Sequence, residues 1–255
     1  MANVNVLEDC LNPGHPKANF KVPAILDHHR NGSFTGRKGA LAQLHSCVSS
    51  SHGTNDSSSI VVIHGKGGVG KTQLAREYAY RYESSFDSVW WIDAQSLQST
   101  HAGFFHMAQR LADYYAGNPE LWAPSIADIS RSLRFENPKD GWGENQMDMI
   151  TPTLVIEAVK DWLCCNGNDH WLLVLDNAND PKSFKIADFL PETRAGSIIM
   201  TSRCKEVSRF GQDILLDVMG ESESLSLLSK SCQRNTLSSD MPGKPRYRSS
   251  SLSDY

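Results

Sequence analysis

The chain has 255 residues with 29 acidic and 25 basic side chains, a formal charge of −4. This balance argues against nucleic acid held mainly through a strongly basic surface, and no specific nucleic-acid partner is expected. Six cysteines are too few for a disulfide scaffold, and no apolar run approaches the ~18–20 residues of a membrane span, so the sequence predicts a soluble, cytoplasmic protein without a membrane span.

Composition divides the chain into four parts. Residues 1–48 form a leader with a Phe-Thr-Gly-Arg motif and a helix, and residues 49–59 form a Ser-rich linker with too little apolar surface to pack. Residues 60–231 form the main domain, in which 117–150 contain Pro and Gly among scattered Trp and acidic residues and predict a long surface excursion between two helices. The Ser-rich tail, 232–255, is expected to be disordered.

Strands and helices alternate through the main domain. Five apolar runs predict strands, at residues 60–63, 88–92, 171–175, 196–201 and 214–218. Apolar residues with helical spacing follow the first two runs and precede the third, and a short helix follows the fifth. The alternation predicts an α/β fold in which helices cover a five-stranded, mostly parallel sheet.

A phosphate-binding loop lies between the first predicted strand and the first helix. Residues 65–72 have the sequence Gly-Lys-Gly-Gly-Val-Gly-Lys-Thr, which fits the P-loop pattern G-x-x-x-x-G-K-[ST]. The glycines allow backbone N–H groups to turn inward around a phosphate, and the following helix aims its positive end at the same anion. Lys71 is expected to reach the β- and γ-phosphates and Thr72 to bind Mg²⁺. The fold is therefore expected to be the three-layer sandwich of a P-loop NTPase.

Two other nucleotide-binding classes share parts of this loop. Its glycines also fit the dinucleotide fingerprint G-x-G-x-x-G, and Asp93 ends the second strand, where a ribose-binding acid belongs, but that fold does not need Lys71. Lys66 is the extra lysine of the partition-type ATPases. Those proteins usually begin with the loop strand and have a second Asp where this chain has Gln95.

Two strand ends supply further candidates. The buried strand 171–175 ends at Asp176, which we interpret as the Walker B ligand of Mg²⁺. Asn177 follows, where many hydrolytic relatives have a second acid; an amide is a much weaker base, so fast hydrolysis is not predicted, and Asp180 is an alternative. Arg203 ends the next strand, where its planar guanidinium could bind a γ-phosphate.

Five motifs occur in the order of an NB-ARC domain, and over about residues 22–230 the chain resembles the nucleotide-binding part of a fungal NOD-like, STAND-class ATPase. They are Phe-Thr-Gly-Arg37, Gly65-Lys-Gly-Gly-Val-Gly-Lys-Thr-Gln-Leu-Ala75, Val89-Trp-Trp-Ile-Asp-Ala94, Leu172-Leu-Val-Leu-Asp-Asn-Ala178 and Ile198-Ile-Met-Thr-Ser-Arg203.

The resemblance implies a role for each matched residue. Arg37 would contact the adenine side, Lys71 and Thr72 the phosphates and Mg²⁺, Asp176 the Mg²⁺, and Arg203 the γ-phosphate. The expected nucleotide-binding set is thus Arg37, Gly65, Lys66, Gly67, Gly68, Val69, Gly70, Lys71, Thr72 and Gln73, with Lys71, Asp176 and Arg203 as the catalytic candidates.

Proteins of this type resemble slow switches that are closed with ADP and oligomeric with ATP. The sequence after Lys230 lacks the Gly-x-Pro lid and the Met-His-Asp motif of the family, so we expect a truncated module with weaker nucleotide binding. It would be a weak ATPase at most, with self-association or other NB-ARC proteins as partners. A partition-type ATPase and an inert fragment remain alternatives.

Overall fold

The computed structural model describes residues 18–23, 30–50, 59–121, 123, 126–135, 151–180, 185–193 and 195–239. Two compact units make up the chain, Met1–Asn31 with Arg37–Val218, and Gly32–Gly36 with Met219–Tyr255. The first unit holds the sheet and all of the predicted site residues.

Five parallel strands form the sheet. They are β1 (Ser59–His64), β2 (Ser88–Asp93), β3 (Trp171–Asp176), β4 (Ser197–Ser202) and β5 (Gln212–Leu215), in the order β2-β3-β4-β1-β5. The first strand therefore pairs with β4 and β5, whereas the dinucleotide-binding fold pairs its first strand with its second. This order excludes the dinucleotide interpretation and confirms the P-loop NTPase-like fold.

Helices cover both faces of the sheet. In the described parts of the first unit they are α1 (Lys38–Ser50), α2 (Lys71–Arg81), α3 (Leu97–Gly117), α4 (Ile126–Phe135) and α5 (Thr151–Leu163), with short 3₁₀ helices at Glu83–Ser85, Ile186–Phe189 and Lys205–Phe210. A further helix, α6 (Glu221–Ser239), belongs to the second unit. None of the helices described is long and apolar enough to cross a membrane.

Alternate residues of the strands supply the two faces of the core, as the period of two in a strand requires. Leu173 and Leu175 of β3 belong to the large cluster built with α3, α4 and α5. Leu172 and Val174 are equally buried but lie outside that cluster. Because successive side chains of a strand point to opposite faces, two apolar layers enclose the sheet and a three-layer sandwich results.

Three elements differ from the sequence prediction. Residues 117–150 contain helix α4, and its fully buried Ile129 packs in the core, so the prediction of an unbroken surface excursion is wrong. Residues 136–150 lie outside the described residues. Strand β5 ends at Leu215 rather than at residue 218, because its partner β1 ends at His64, where the chain turns into the P-loop. Helix α6 continues to Ser239, past residue 231, and no Pro or Gly interrupts the sequence before Pro242.

The second unit contains helix α6. Within this unit the backbone of Gly36 lies against the side chain of Glu223, since a Cβ built on Gly36 would stand 2.7 Å from Glu223 Oε1. Residues 240–255, to which most of the predicted disordered tail belongs, are outside the described residues, as are residues 1–17 of the leader and 51–58 of the linker.

Candidate nucleotide-binding site

The phosphate-binding loop joins β1 directly to α2. Gly70 caps the helix in the left-handed conformation with φ of 97°. Gly65 has φ of +151°, and a Cβ built on it would stand 2.2 Å from the carbonyl oxygen of Leu216, so the start of the loop has room only for hydrogen. Because the loop leads directly into α2, the free N–H groups of the first turn of that helix are available to an anion bound at the loop.

The side chain of Lys71 lies inside this loop. It is 8% exposed, and its Nζ donates hydrogen bonds to the carbonyl oxygens of Gly65 at 2.9 Å and Lys66 at 2.8 Å. Burial lowers the pKa of Lys71, the positive charge of Arg203 lowers it further, and Asp176 opposes both effects. An anion at the loop would relieve this repulsion and give the ammonium a stronger partner than a carbonyl.

Thr72 and Asp176 meet at the carboxyl ends of the strands. The Oγ1 of Thr72 donates a hydrogen bond to Oδ1 of the nearly buried Asp176 at 2.9 Å. The same carboxylate oxygen accepts a short hydrogen bond from the hydroxyl of Thr201 at the end of β4. A hydroxyl and a carboxylate are oxygen ligands that Mg²⁺ prefers, so these two predicted metal ligands fit that ion.

Asn177 follows Asp176 in the left-handed conformation, with φ of 66°. Its backbone N–H donates to Oγ1 of Thr201 at 3.0 Å, and its side-chain amide donates to Oδ1 of Asp93 at 3.3 Å. The ends of three adjacent strands, β2, β3 and β4, are thus connected by hydrogen bonds through this residue.

Arg203 approaches the loop from the end of β4. A Cβ built on Gly67 would stand 3.6 Å from Cζ of the guanidinium, so the side chain lies against the loop. The backbone N–H of Arg203 donates to Oδ1 of Asn179 at 2.7 Å, which fixes the backbone from which the side chain extends. The guanidinium and the ammonium of Lys71 thus make the loop a cationic surface suited to phosphate.

Arg37 connects the other side of the loop to the segment after β5. Its Nη2 donates to the carbonyl oxygens of Val69 at 2.9 Å and Asp217 at 2.6 Å. Its backbone has φ of 56°, which is uncommon for a residue with a side chain. The structure therefore places Arg37 at the P-loop, and its contact with an adenine remains a prediction.

The remaining predicted residues lie along the loop and the first turn of α2. Lys66, Gly67 and Gly68 are exposed at its rim. Gln73 accepts a hydrogen bond from the side-chain amide of Asn31 at 3.1 Å.

Three residues near the site were not identified as such from the sequence. Thr201, Asn179 and Asp93, the last considered only for the dinucleotide alternative, all lie at or just after the carboxyl end of a strand. Because parallel strands bring these ends to one edge, polar residues at the ends of the predicted strands were the available signal. Strand order, which the sequence does not reveal, decides which of them meet.

Comparison with known proteins gives one family and several relatives. The family model of the AAA ATPase domain matches residues 33–197. A nucleotide-binding leucine-rich repeat (NLR)-like protein of Hyaloscypha variabilis is 29% identical over 236 residues, which are 85% of this chain and 20% of that protein. The regulatory protein AfsR of Streptomyces coelicolor is 26% identical over 202 residues, which are 77% of this chain and 17% of that protein.

Among solved structures, a signal transduction ATPase with numerous domains (STAND) with a tetratricopeptide repeat sensor, from Pyrococcus horikoshii, matches with a TM-score of 0.46 and 17% identity. The match covers 86% of this chain and 28% of that one. The chain spans a fifth or less of the length of the two curated relatives described above.

Proposed function

The chain belongs to the AAA ATPase domain family, and from this premise we propose that it is the nucleotide-binding module of a STAND-class signalling switch that takes ADP or ATP with Mg²⁺. The resemblance to a STAND-class P-loop NTPase is confirmed by the family match and the similarity to an NLR-like protein. The observation that carries the proposal is the P-loop with Lys71 inside it and with Thr72 bonded to Asp176 at 2.9 Å.

Each side chain has a distinct task in this proposal. Lys71 exchanges its two carbonyl partners for oxygens of the β- and γ-phosphates, which bind its ammonium more strongly because they are charged. Thr72 and Asp176 hold Mg²⁺, which when bound neutralises phosphate charge. Arg203, which lies against Gly67, binds the γ-phosphate and so distinguishes ATP from ADP.

Hydrolysis is slow in this proposal. The residue after the Walker B acid is Asn177, whose amide cannot accept a proton as a carboxylate does. Slow turnover suits a switch, because the time spent in the ATP state then depends on the chemical step.

The proposed switch is closed with ADP and self-associates, or joins other NB-ARC proteins, when ATP is bound. The names of two relatives, an NLR-like protein and a regulatory protein, support a role in signalling. A cytoplasmic location is supported by the five cysteines of the described residues, all of which are thiols rather than disulfides.

Titration calorimetry of the full chain with ATP and ADP, with and without Mg²⁺, tests the proposal. We expect Mg²⁺-dependent binding that Lys71→Ala abolishes. Lys66→Ala should retain it, because that variant changes only an exposed side chain of a loop whose backbone N–H groups bind the phosphates. The melting temperature of each variant shows whether it is folded. Unchanged binding by a folded Lys71→Ala variant would contradict the proposal, and an unmodified chain that misfolds and binds no nucleotide would favour an inert fragment.

The association state separates the switch from a partition-type ATPase. Light scattering with ATP and with ADP should give the same result for Lys66→Ala as for the unmodified chain. Loss of ATP-dependent dimers in Lys66→Ala alone would favour the partition-type mechanism.

A further inference from the structure

A carboxylate on the neighbouring strand stands next to the residue that replaces the second Walker B acid. Asp93 ends β2 and pairs in register with Asp176, and its Oδ1 accepts a hydrogen bond from the Asn177 amide at 3.3 Å. We propose that Asp93 orients the water that attacks the γ-phosphorus of ATP and takes its proton, and that Asn177 positions Asp93. This inference rests on the proposed function, since it needs ATP at the P-loop.

Asn177 is well placed to position another side chain because its own backbone is fixed. Its N–H donates to the hydroxyl of Thr201 at 3.0 Å, and the N–H of Ala178 donates to the carbonyl oxygen of Thr201 at 2.9 Å. The same hydroxyl donates to Asp176. The backbone of Asn177 is therefore held by the residue that also orients the Walker B carboxylate.

The hydrogen bonds of Asp93 leave one of its oxygens for water. Its Oδ1 accepts from the Asn177 amide and also from the backbone N–H of Gln95 at 3.2 Å. Its Oδ2 has no hydrogen-bond partner among the residues that the structure describes, and Asp93 is exposed. The next residue, Ala94, donates its N–H to the carbonyl oxygen of Asp176 at 2.6 Å, so the backbone carrying the carboxylate is also fixed.

The chemical step is an ordinary phosphoryl transfer to water. The water oxygen forms a bond to the γ-phosphorus, while the bond from that phosphorus to the bridging oxygen breaks and leaves its electron pair on ADP. The water proton passes to Oδ2 of Asp93 and then to solvent, and the products are ADP and inorganic phosphate. The amide of Asn177 cannot accept the water proton, because an amide is a much weaker base than the carboxylate of Asp93.

Single-turnover hydrolysis of ATP by the full chain, together with calorimetric binding of ATP, tests this assignment. Asp93→Asn keeps the size of the side chain and an acceptor oxygen, so we expect ATP binding to be unchanged while the hydrolysis rate falls by about 10²-fold or more, the usual contribution of a general base. Asn177→Ala should lower the rate less, with unchanged binding. Asp113→Asn, on the exposed side of α3, is the matched control and should hydrolyse ATP at the unmodified rate.

A double variant separates a chemical role from a structural one. In Asp93→Asn combined with Asn177→Asp the amide and the carboxylate exchange places, and each strand end keeps a polar side chain. Because a carboxylate is again present in the pair, the hydrolysis rate should recover in part relative to Asp93→Asn. A purely structural role for Asp93 would show instead as a lower melting temperature and weaker binding.

Several results would overturn the assignment. The first is an Asp93→Asn variant that hydrolyses ATP at the unmodified rate. The second is a hydrolysis rate that falls by about 10²-fold in Asp180→Asn but not in Asp93→Asn. The third is an unmodified chain that binds ATP and never hydrolyses it. Failure of the unmodified chain to bind ATP is a different outcome, because it refutes the proposed function and this assignment with it.

Discussion

The guanidinium of Arg203 lies against the P-loop at Gly67, where a Cβ would stand 3.6 Å from its Cζ atom. Arg203 is also close enough to Lys71 for its charge to lower the pKa of that lysine, in addition to the larger effect of burial. Two cations thus face one concave loop whose glycines leave space for an anion. A phosphate bound there would reduce their mutual repulsion, which explains why the arrangement suits a nucleotide.

Two glycines of the loop should respond very differently to the same substitution. Gly65→Ala places a Cβ 2.2 Å from a backbone oxygen at φ of +151°, so we expect a loss of about 2–3 kcal/mol or more in the free energy of unfolding. Gly67→Ala meets Arg203 only at an ordinary contact distance and should cost below about 1 kcal/mol. Urea unfolding monitored by circular dichroism measures both. Equal losses would contradict the interpretation.

The sheet could be predicted because each buried strand contains an unbroken apolar run, as residues 171–175 of β3 do. Helix α4 could not be predicted as easily. It is only 10 residues long and lies between Pro-containing segments, so its sequence resembles that of a loop. The structure shows a helix whose Ile129 is fully buried. The tertiary contacts of one helix face determine this element, and neither the length nor the local composition of the segment reveals those contacts.

The place of the phosphate-binding loop between β1 and α2 could be predicted because its residues are contiguous and fit one sequence pattern. Thr201 could not, since a single threonine at a strand end is not distinctive. Its role comes from the placement of β4 beside β3, which brings its hydroxyl to both Asp176 and the N–H of Asn177. Such contacts depend on strand order rather than on sequence spacing.

The hydroxyl of Thr201 should contribute both to the free energy of unfolding and to nucleotide binding. Thr201→Val keeps the shape of the side chain but removes the acceptor for the N–H of Asn177 and a donor to Asp176, so we expect a loss of about 1–3 kcal/mol in the free energy of unfolding. Mg²⁺-dependent nucleotide binding should weaken as well, because Asp176 loses an orienting partner. Thr201→Ser keeps the hydroxyl and should retain both properties, as measured by urea unfolding and calorimetry. A Val variant equal to the Ser variant would show that the hydroxyl is dispensable.

The thiol of Cys164 should react slowly in the folded protein. Burial, assisted by the negative charge of Asp161, raises its pKa to about 11, so little thiolate is present at pH 8. We expect alkylation by iodoacetamide, followed at Cys164 by peptide mass spectrometry, to be much slower in buffer than in urea and to accelerate as the pH is raised toward 11. Equal rates in the folded and unfolded chain would contradict this.

The carboxylate of Glu77 on α2 should stabilise the fold through two arginines. Glu77 is 4% exposed; it accepts hydrogen bonds from Nη2 of Arg30 at 2.9 Å and from Nη2 of Arg81 at 2.7 Å. Both arginines are about half exposed and can be rehydrated, so Glu77→Gln should cost about 1–2 kcal/mol at pH 7 rather than the larger amount expected for a fully buried pair. Glu83→Gln, in the exposed turn after the helix, is the matched control and should have almost no effect.

The stabilisation that Glu77 provides should depend on pH. Burial tends to raise the pKa of Glu77, but the hydrogen bonds and charges of Arg30 and Arg81 outweigh it and lower the pKa below its ordinary value of 4.5. A lowered pKa in the folded state means that the stabilisation is fully present above the unfolded value and is lost as the pH falls through the folded value. The difference in unfolding free energy between the unmodified chain and Glu77→Gln should therefore be largest at pH 6–7 and should shrink as the pH is lowered below about 4. Urea unfolding of both proteins across this range measures it, and a difference that stays constant to pH 3 would show that the ionised carboxylate is not its source.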